Sequence, residues 1–177
     1  MSTFQPMVQE LVTPRLRLRR QRLNDCAAIR GLWLERDLRS NRLIDADGHP
    51  TVEEMRERLA ARLAESDRTG LSLLAIERRD VPGFIGYCGL TVGEATVSEP
   101  EIAFEMYREV HGQGYATEAA GAVLDAARAT GRSRIWASVF EWNAPSLHVL
   151  TRLGFSDSGR RLIDAERGDT LWMTLEL

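Results

Sequence analysis

The chain has 177 residues, of which 44% are hydrophobic and 28% charged, with a formal net charge of −3. That size and balance fit one ordinary globular domain able to bury most of its apolar surface, and they supply no overall attraction to nucleic acid or to an anionic membrane. Two cysteines, Cys26 and Cys88, without CxxC or histidine spacing, argue against a disulfide framework or a zinc site.

No run of about 18 apolar residues occurs, and the start MSTFQPMVQE lacks the basic-then-apolar plan of a signal peptide, so a cytoplasmic, unprocessed protein is expected. Leu16 and Leu18 alternate with Arg15, Arg17 and Arg19 within Leu11–Arg19, the period of a half-exposed strand. Those arginines, with Arg20 and Arg22, are expected to form its solvated face. Asn24 is placed to cap a helix striped by Ile29, Leu32, Trp33 and Leu38, and the polar stretch SNRLIDADGHP follows as a loop. Thr51 and Glu54 have the spacing of a capping box for a second helix, with Met55, Leu59 and Leu63 on its apolar stripe and its end near Gly70.

Three strands are expected next, Leu71–Arg78, Gly83–Val92 and Glu99–Tyr107, broken by Asp80–Gly83 and by GEATVSEP as in an antiparallel meander. Ala116, Ala119, Ala120, Val123, Leu124 and Ala127 then recur at helical spacing, and Gly131 closes the element. A strand at Ser133–Phe140, a short helix from about Asn143 to Leu153 and strands near Phe155–Ile163 and Thr170–Leu175 complete the chain. With no repeat, low-complexity segment or linker, residues 1–177 read as one α+β domain with a mixed sheet.

Between the third of the meander strands and the alanine-rich helix stands VHGQGYATEA, residues 110–119, with two glycines and little bulk except Tyr115. A helix N-terminus has unpaired N–H groups and about half a positive charge, so small residues there admit an anion to the backbone. A phosphate or pyrophosphate is the natural candidate. The GxxxxGK[ST] loop is absent, and GxGxxG/A fails because Thr117 holds its third glycine position. A tight strand-to-helix turn without any ligand is the other reading of the glycines alone.

The neighbourhood narrows the choice. EIAFEMYREVHGQGYATEAAG followed by NAPSLHVLTRLGF resembles the GNAT superfamily of acetyl-coenzyme A-dependent N-acetyltransferases. The opening LVTPRLRLRR, GFIGYCGL and Asn143–Ser146 followed by LGF resemble the branch holding the ribosomal-protein N-terminal (alanine or serine) acetyltransferases. The resemblance runs from about Leu11 to Leu175. It implies a central, mostly antiparallel mixed sheet of about seven strands flanked by about four helices.

The same resemblance implies acetyl transfer from acetyl-CoA to a primary amine by direct attack in a ternary complex. His111, Gly112, Gln113, Gly114, Tyr115, Ala116 and Thr117 would meet the coenzyme pyrophosphate, with His111 in the place of the family's usual Arg or Gln. Phe104, Glu105 and Met106 would pair with the pantetheine arm, and a backbone N–H there would stabilise the oxyanion. Asn143 and Ser146 would contact the coenzyme near its sulfur. Ser146 is also the candidate acid for the leaving thiolate, because Leu150 stands where many members carry a tyrosine.

Glu101, Ala103 and Glu105 share one face of their strand, and a buried carboxylate there is suited to accept the amine's proton. Glu101, aligned with a glutamate frequent in the branch, is preferred over Glu105. His49 and His148 are weak acid–base candidates. No metal spacing is present. The acceptor, a protein N-terminus or a small amine, would lie between residues 33–50 and 157–169, where Trp142 could line the mouth and Asp45 and Asp47 could attract a cation or simply make a turn. A homodimer is an expectation from exposed C-terminal strand positions. The alternative is a non-catalytic acyl-CoA-binding or regulatory domain.

Overall fold

The computed structural model describes residues 4–177. The chain runs β1 (Glu10–Val12), β2 (Leu16–Arg20), α1 (Cys26–Leu34), α2 (Val52–Thr69), β3 (Leu73–Arg78), β4 (Phe84–Thr91), β5 (Glu101–Met106), α3 (Tyr115–Arg128), β6 (Arg134–Phe140), α4 (Ala144–Arg152), β7 (Ser156–Leu162) and β8 (Thr170–Glu176). One eight-stranded sheet results, in the order β1-β2-β3-β4-β5-β6-β8-β7. Every neighbouring pair is antiparallel except β5 and β6. This is the expected α+β, GNAT-like architecture.

The eighth strand comes from the first segment, which is a hairpin rather than a single strand. Pro14 has no N–H for a ladder, and Thr13 turns the chain by donating its N–H to Leu16 O at 2.9 Å while its Oγ1 accepts from Leu16 N–H at 2.9 Å. Leu11 then pairs with Leu18. The helix that follows also starts later than expected. A 3-10 turn at Leu23–Asp25 takes up Asn24, Asp25 precedes the first α-helical residue, and Leu38 lies beyond α1 with 88% of its surface exposed. In α2 the capping box forms as the spacing predicts: Thr51 Oγ1 accepts from Glu54 N–H and Glu54 Oε2 from Thr51 N–H. Gly70 closes the helix at φ 70°, a backbone angle that favours glycine.

Strand alternation divides the apolar residues between two cores. On one face, Leu16, Leu18, Ile76, Cys88, Ile102, Ile135, Val139 and Met173 pack with Ala119, Ala120, Val123 and Ala127 of α3 and Leu150 of α4. On the other, Tyr87 and Leu73 meet Ile29, Leu32 and Trp33 of α1 and Met55 and Leu59 of α2. Both cysteines are free and buried. The arginine face is not uniformly solvated: Arg19 is only 9% exposed, because it pairs with Asp25 through two guanidinium nitrogens at 2.9 Å and with Glu77 at 2.8 Å. Burial alone would raise Asp25, but the Arg19 guanidinium and the Arg22 N–H outweigh it and hold the carboxyl below its usual range.

Candidate active site

The glycine loop enters α3 with Gly112 at φ 74° and Gly114, the cap residue, at φ 80°. A side chain added at Gly112 would meet no protein atom within 4 Å, so the missing bulk there serves the backbone angle and leaves the loop's outer side open. The N–H groups of residues 112–117 find no protein acceptor among the described residues; the first satisfied one is Glu118, which donates to Gly114 O at 3.0 Å. A set of free N–H groups at the start of a 14-residue helix has the polarity that favours an anion.

Arg15, exposed as its alternation implies, also reaches this loop. Its Nη1 donates to Gln113 O at 2.8 Å, its Nε to Glu118 Oε2 at 2.6 Å, and its guanidinium lies 4.5 Å from the centre of the Tyr115 ring. Thr13 Oγ1 and the Arg15 N–H also bond Glu118 Oε1, at 2.6 and 3.0 Å. Burial raises Glu118, yet these bonds outweigh it and leave its pKa below the ordinary value. Tyr115 itself is 8% exposed and packs in the core, so only its N–H faces the loop.

Beside the loop the sheet opens. The parallel ladder between β5 and β6 holds only Glu101 opposite Trp136, and beyond it β6 pairs with β8 alone. Trp136 N–H donates to Pro100 O at 2.9 Å, and Tyr107 N–H donates the other way, to Ile85 O of β4 at 3.0 Å. Backbone groups alternate sides along a strand: Ile102 N–H is taken up by Trp136 in the single parallel bridge, and beyond it the groups of Phe104 and Met106 face the gap. An unpaired strand edge there can receive an extended amide-bearing chain as an added strand. Met106 O is engaged by His111, whose Nε2–H donates to it at 2.9 Å, so that ring lies at the strand edge. Gly112, Gln113, Ala116 and Thr117 contribute backbone to the adjoining loop.

On the α1–α2 face of this gap stand the two carboxylates. Glu101 is 7% exposed; its Oε1 accepts from Glu94 N–H and its Oε2 from Ser138 Oγ, both at 3.1 Å. Burial pushes its pKa up, opposed by those two hydrogen bonds. Glu105 takes a bidentate pair from Arg36, 2.7 Å at Nε and 2.5 Å at Nη2, and a 2.6 Å bond from Tyr87 Oη. Burial and the adjacent Glu105 raise the Tyr87 phenol, which stays a neutral donor. Ser138 is exposed and connects the sealed Glu101 to the open face. Neither Arg36 nor Ser138 was singled out from sequence: Arg36 lies past a helix end without periodicity, and Ser138 is an ordinary outward strand position.

At the far wall Asn143 caps α4 by accepting Ser146 N–H at 3.3 Å, and Ser146 Oγ makes no hydrogen bond among the described residues. Leu150, 2% exposed, is sealed in the core. His148 is exposed on α4, while His49 bonds Glu54 at 2.7 Å in the α2 cap, which raises its pKa. Asp45 accepts the N–H groups of Asp47 and His49, so it makes a turn rather than an open cation site. Trp142 stacks on Phe140 with ring centres 4.9 Å apart, bonds Arg167 O, and carries Arg39 at 4.1 Å, which brings the α1–α2, β6–α4 and β7–β8 connections together. Among the described residues no group of three or more His, Cys, Asp or Glu could hold a metal, and no helix is long and apolar enough to cross a membrane.

Comparisons with known proteins bear on the fold and the family. The chain is 25% identical over 156 residues, 86% of its length and 85% of the other, to a Bacillus licheniformis protein named uncharacterized N-acetyltransferase p20. It superposes on Mycobacterium smegmatis RimJ in complex with CoA-disulfide with a TM-score of 0.75 at 22% identity, covering 98% of this chain and 86% of that one. It also superposes on the ribosomal-protein-S5-alanine acetyltransferase of Vibrio fischeri with a TM-score of 0.73 at 18% identity, covering 94% and 96%. A family model described as the acetyltransferase (GNAT) domain matches residues 15–156, and the chain therefore belongs to the GNAT acetyltransferase family, with acetyl transfer the activity that membership supports.

Proposed function

We propose that the protein transfers the acetyl group of acetyl-CoA to a primary amine by direct attack in a ternary complex. The observation that carries this reading is the meeting of two features: a β5 edge left without a β6 ladder at Phe104 and Met106 and, a short turn later in the chain, the run of free N–H groups at 112–117. A diphosphate at the loop and an amide-bearing arm along the edge match these two features in order. Acetyl-CoA carries both, and its thioester supplies the activated acetyl group.

The chain's own groups divide the remaining work. Phe104 N–H faces the gap and is the donor for the carbonyl oxygen as it gains charge. Glu101 is the base: the acceptor ammonium gives a proton to Ser138 Oγ as the Ser138 hydroxyl gives its own to Glu101 Oε2. The raised pKa of Glu101 makes it a better proton acceptor than an exposed carboxylate. Glu105, held by Arg36 and Tyr87, positions rather than deprotonates. Ser146, with Asn143 holding its turn, gives its hydroxyl proton to the departing sulfur as it takes one from solvent water.

The test is release of free thiol from acetyl-CoA with a panel of protein N-terminal peptides and small amines, with acetylation of the amine confirmed by mass. Amine-dependent thiol release is expected. Coenzyme binding without thiol release for any amine would reduce the protein to an acyl-CoA-binding domain.

A further inference from the structure

Arg62 lies on the inward stripe of α2, one position before Leu63 and seven after Met55, where an apolar residue would ordinarily sit. It faces a groove between α2 and the sheet lined also by Ser66, Thr69, Leu73 and Thr91. Among the described residues it has no hydrogen-bond or ion-pair partner. A partly buried guanidinium without a partner costs free energy, and the usual remedy is a carboxylate.

The nearby carboxylate cannot serve. Glu105 already accepts two bonds from Arg36 and one from Tyr87, so its oxygens are engaged elsewhere and make no bond to Arg62. Glu65, on the rim of the groove, pairs outward with Arg68 at 3.6 Å. Burial lowers the Arg62 pKa first of all; Tyr87 and Glu105 oppose that, while Arg42 and Arg36 add to it. Arg36 and Arg42 therefore add positive charge near Arg62, and the nearby anion, Glu105, is hydrogen-bonded to Arg36 and Tyr87 rather than to Arg62.

Resting on the acetyl-transfer reading above, we propose that Arg62 anchors a carboxylate carried by the acceptor, so that the substrate is a primary amine with a negative group a few atoms from its nitrogen. The planar guanidinium takes a carboxylate in a bidentate pair that no neighbour now provides. The surrounding positive charge also acts on the amine. It disfavours the ammonium form, which keeps the attacking nitrogen neutral. An uncharged or dicationic acceptor would leave Arg62 unpaired.

Two sources offer this chemistry, a free amino acid and a peptide N-terminus with an acidic first residue, and paired probes separate them. L-alanine is compared with L-alaninamide, and amidated Asp-Ala-Ala with amidated Asn-Ala-Ala, in wild type, Arg62→Met and Arg62→Lys. Turnover is followed by thiol release, and binding of the N-acetylated forms to the coenzyme A complex by calorimetry.

The expected result is a preference of at least tenfold for the charged member of one pair, lying in KM. Arg62→Met should abolish it and Arg62→Lys should retain part. Which pair shows the preference identifies the source. Equal use or equal binding of both members by wild type, or a preference that survives in a folded Arg62→Met, overturns the proposal. Arg62-dependent binding of the charged member without any acetyl transfer would support the anchor while overturning the acetyl-transfer reading.

Discussion

If Glu101 is the base proposed above, stability and chemistry pull in opposite directions at this residue. A carboxyl whose pKa folding has raised favours the folded state fully below its ordinary value of 4.5, and that contribution is lost as pH rises through the folded value. At neutral pH the ionised group is thus held at a cost. Glu101→Gln should raise the melting temperature at pH 7.5, with the gain fading below pH 4.5, while turnover falls about 10²-fold or more and recovers partly at high pH as free amine accumulates. Loss of activity together with a lower melting temperature would indicate a structural role instead. Ser138→Ala removes the relay oxygen and leaves the carboxylate, so its turnover should also drop, by about tenfold or more.

Much at this scale was legible from alternation alone: Glu101 and Glu105 do lie on one face, opposite Ile102 and Met106. Their partners were not. Arg36, Tyr87 and Ser138 come from three other elements, and pairing across 69 residues, as between Arg36 and Glu105, leaves no local pattern in a sequence.

At the scale of elements, the β1–β2 turn acts as a buttress for the glycine loop. Thr13 and Arg15 together make four bonds to Glu118 and Gln113, fixing the first turn of α3 from outside. Arg15→Ala should weaken acetyl-CoA binding about tenfold, or about 1.4 kcal/mol, by calorimetry, with little change in the melting temperature. An unchanged affinity would mean that the loop holds its shape unaided. The helix signals were the most readable parts of the chain, and Thr51→Ala, which removes a formed capping box, should cost about 1 kcal/mol in denaturant unfolding. The hairpin was less readable, because Leu11–Arg19 keeps an apolar–polar alternation through its turn, and only Pro14 marks the break.

On the scale of the whole molecule, the site exists because one ladder stops early. β5 is laddered to β4 and β6 to β8 over one shared core with α3, and the single register pair at Glu101 and Trp136 lets β5 and β6 part beyond it. Composition and period indicated the layers and the strand–helix order, but a parting of two strands depends on which backbone groups lack partners, and side-chain pattern does not encode that. The most direct test is backbone amide hydrogen exchange of the protein with and without acetyl-CoA. The expected result is slowed exchange at residues 112–117 and at the gap-facing N–H groups of Phe104 and Met106, with the edge strand β7 unchanged. Binding that leaves all of these amides unprotected, or protects another surface in their place, would contradict the account.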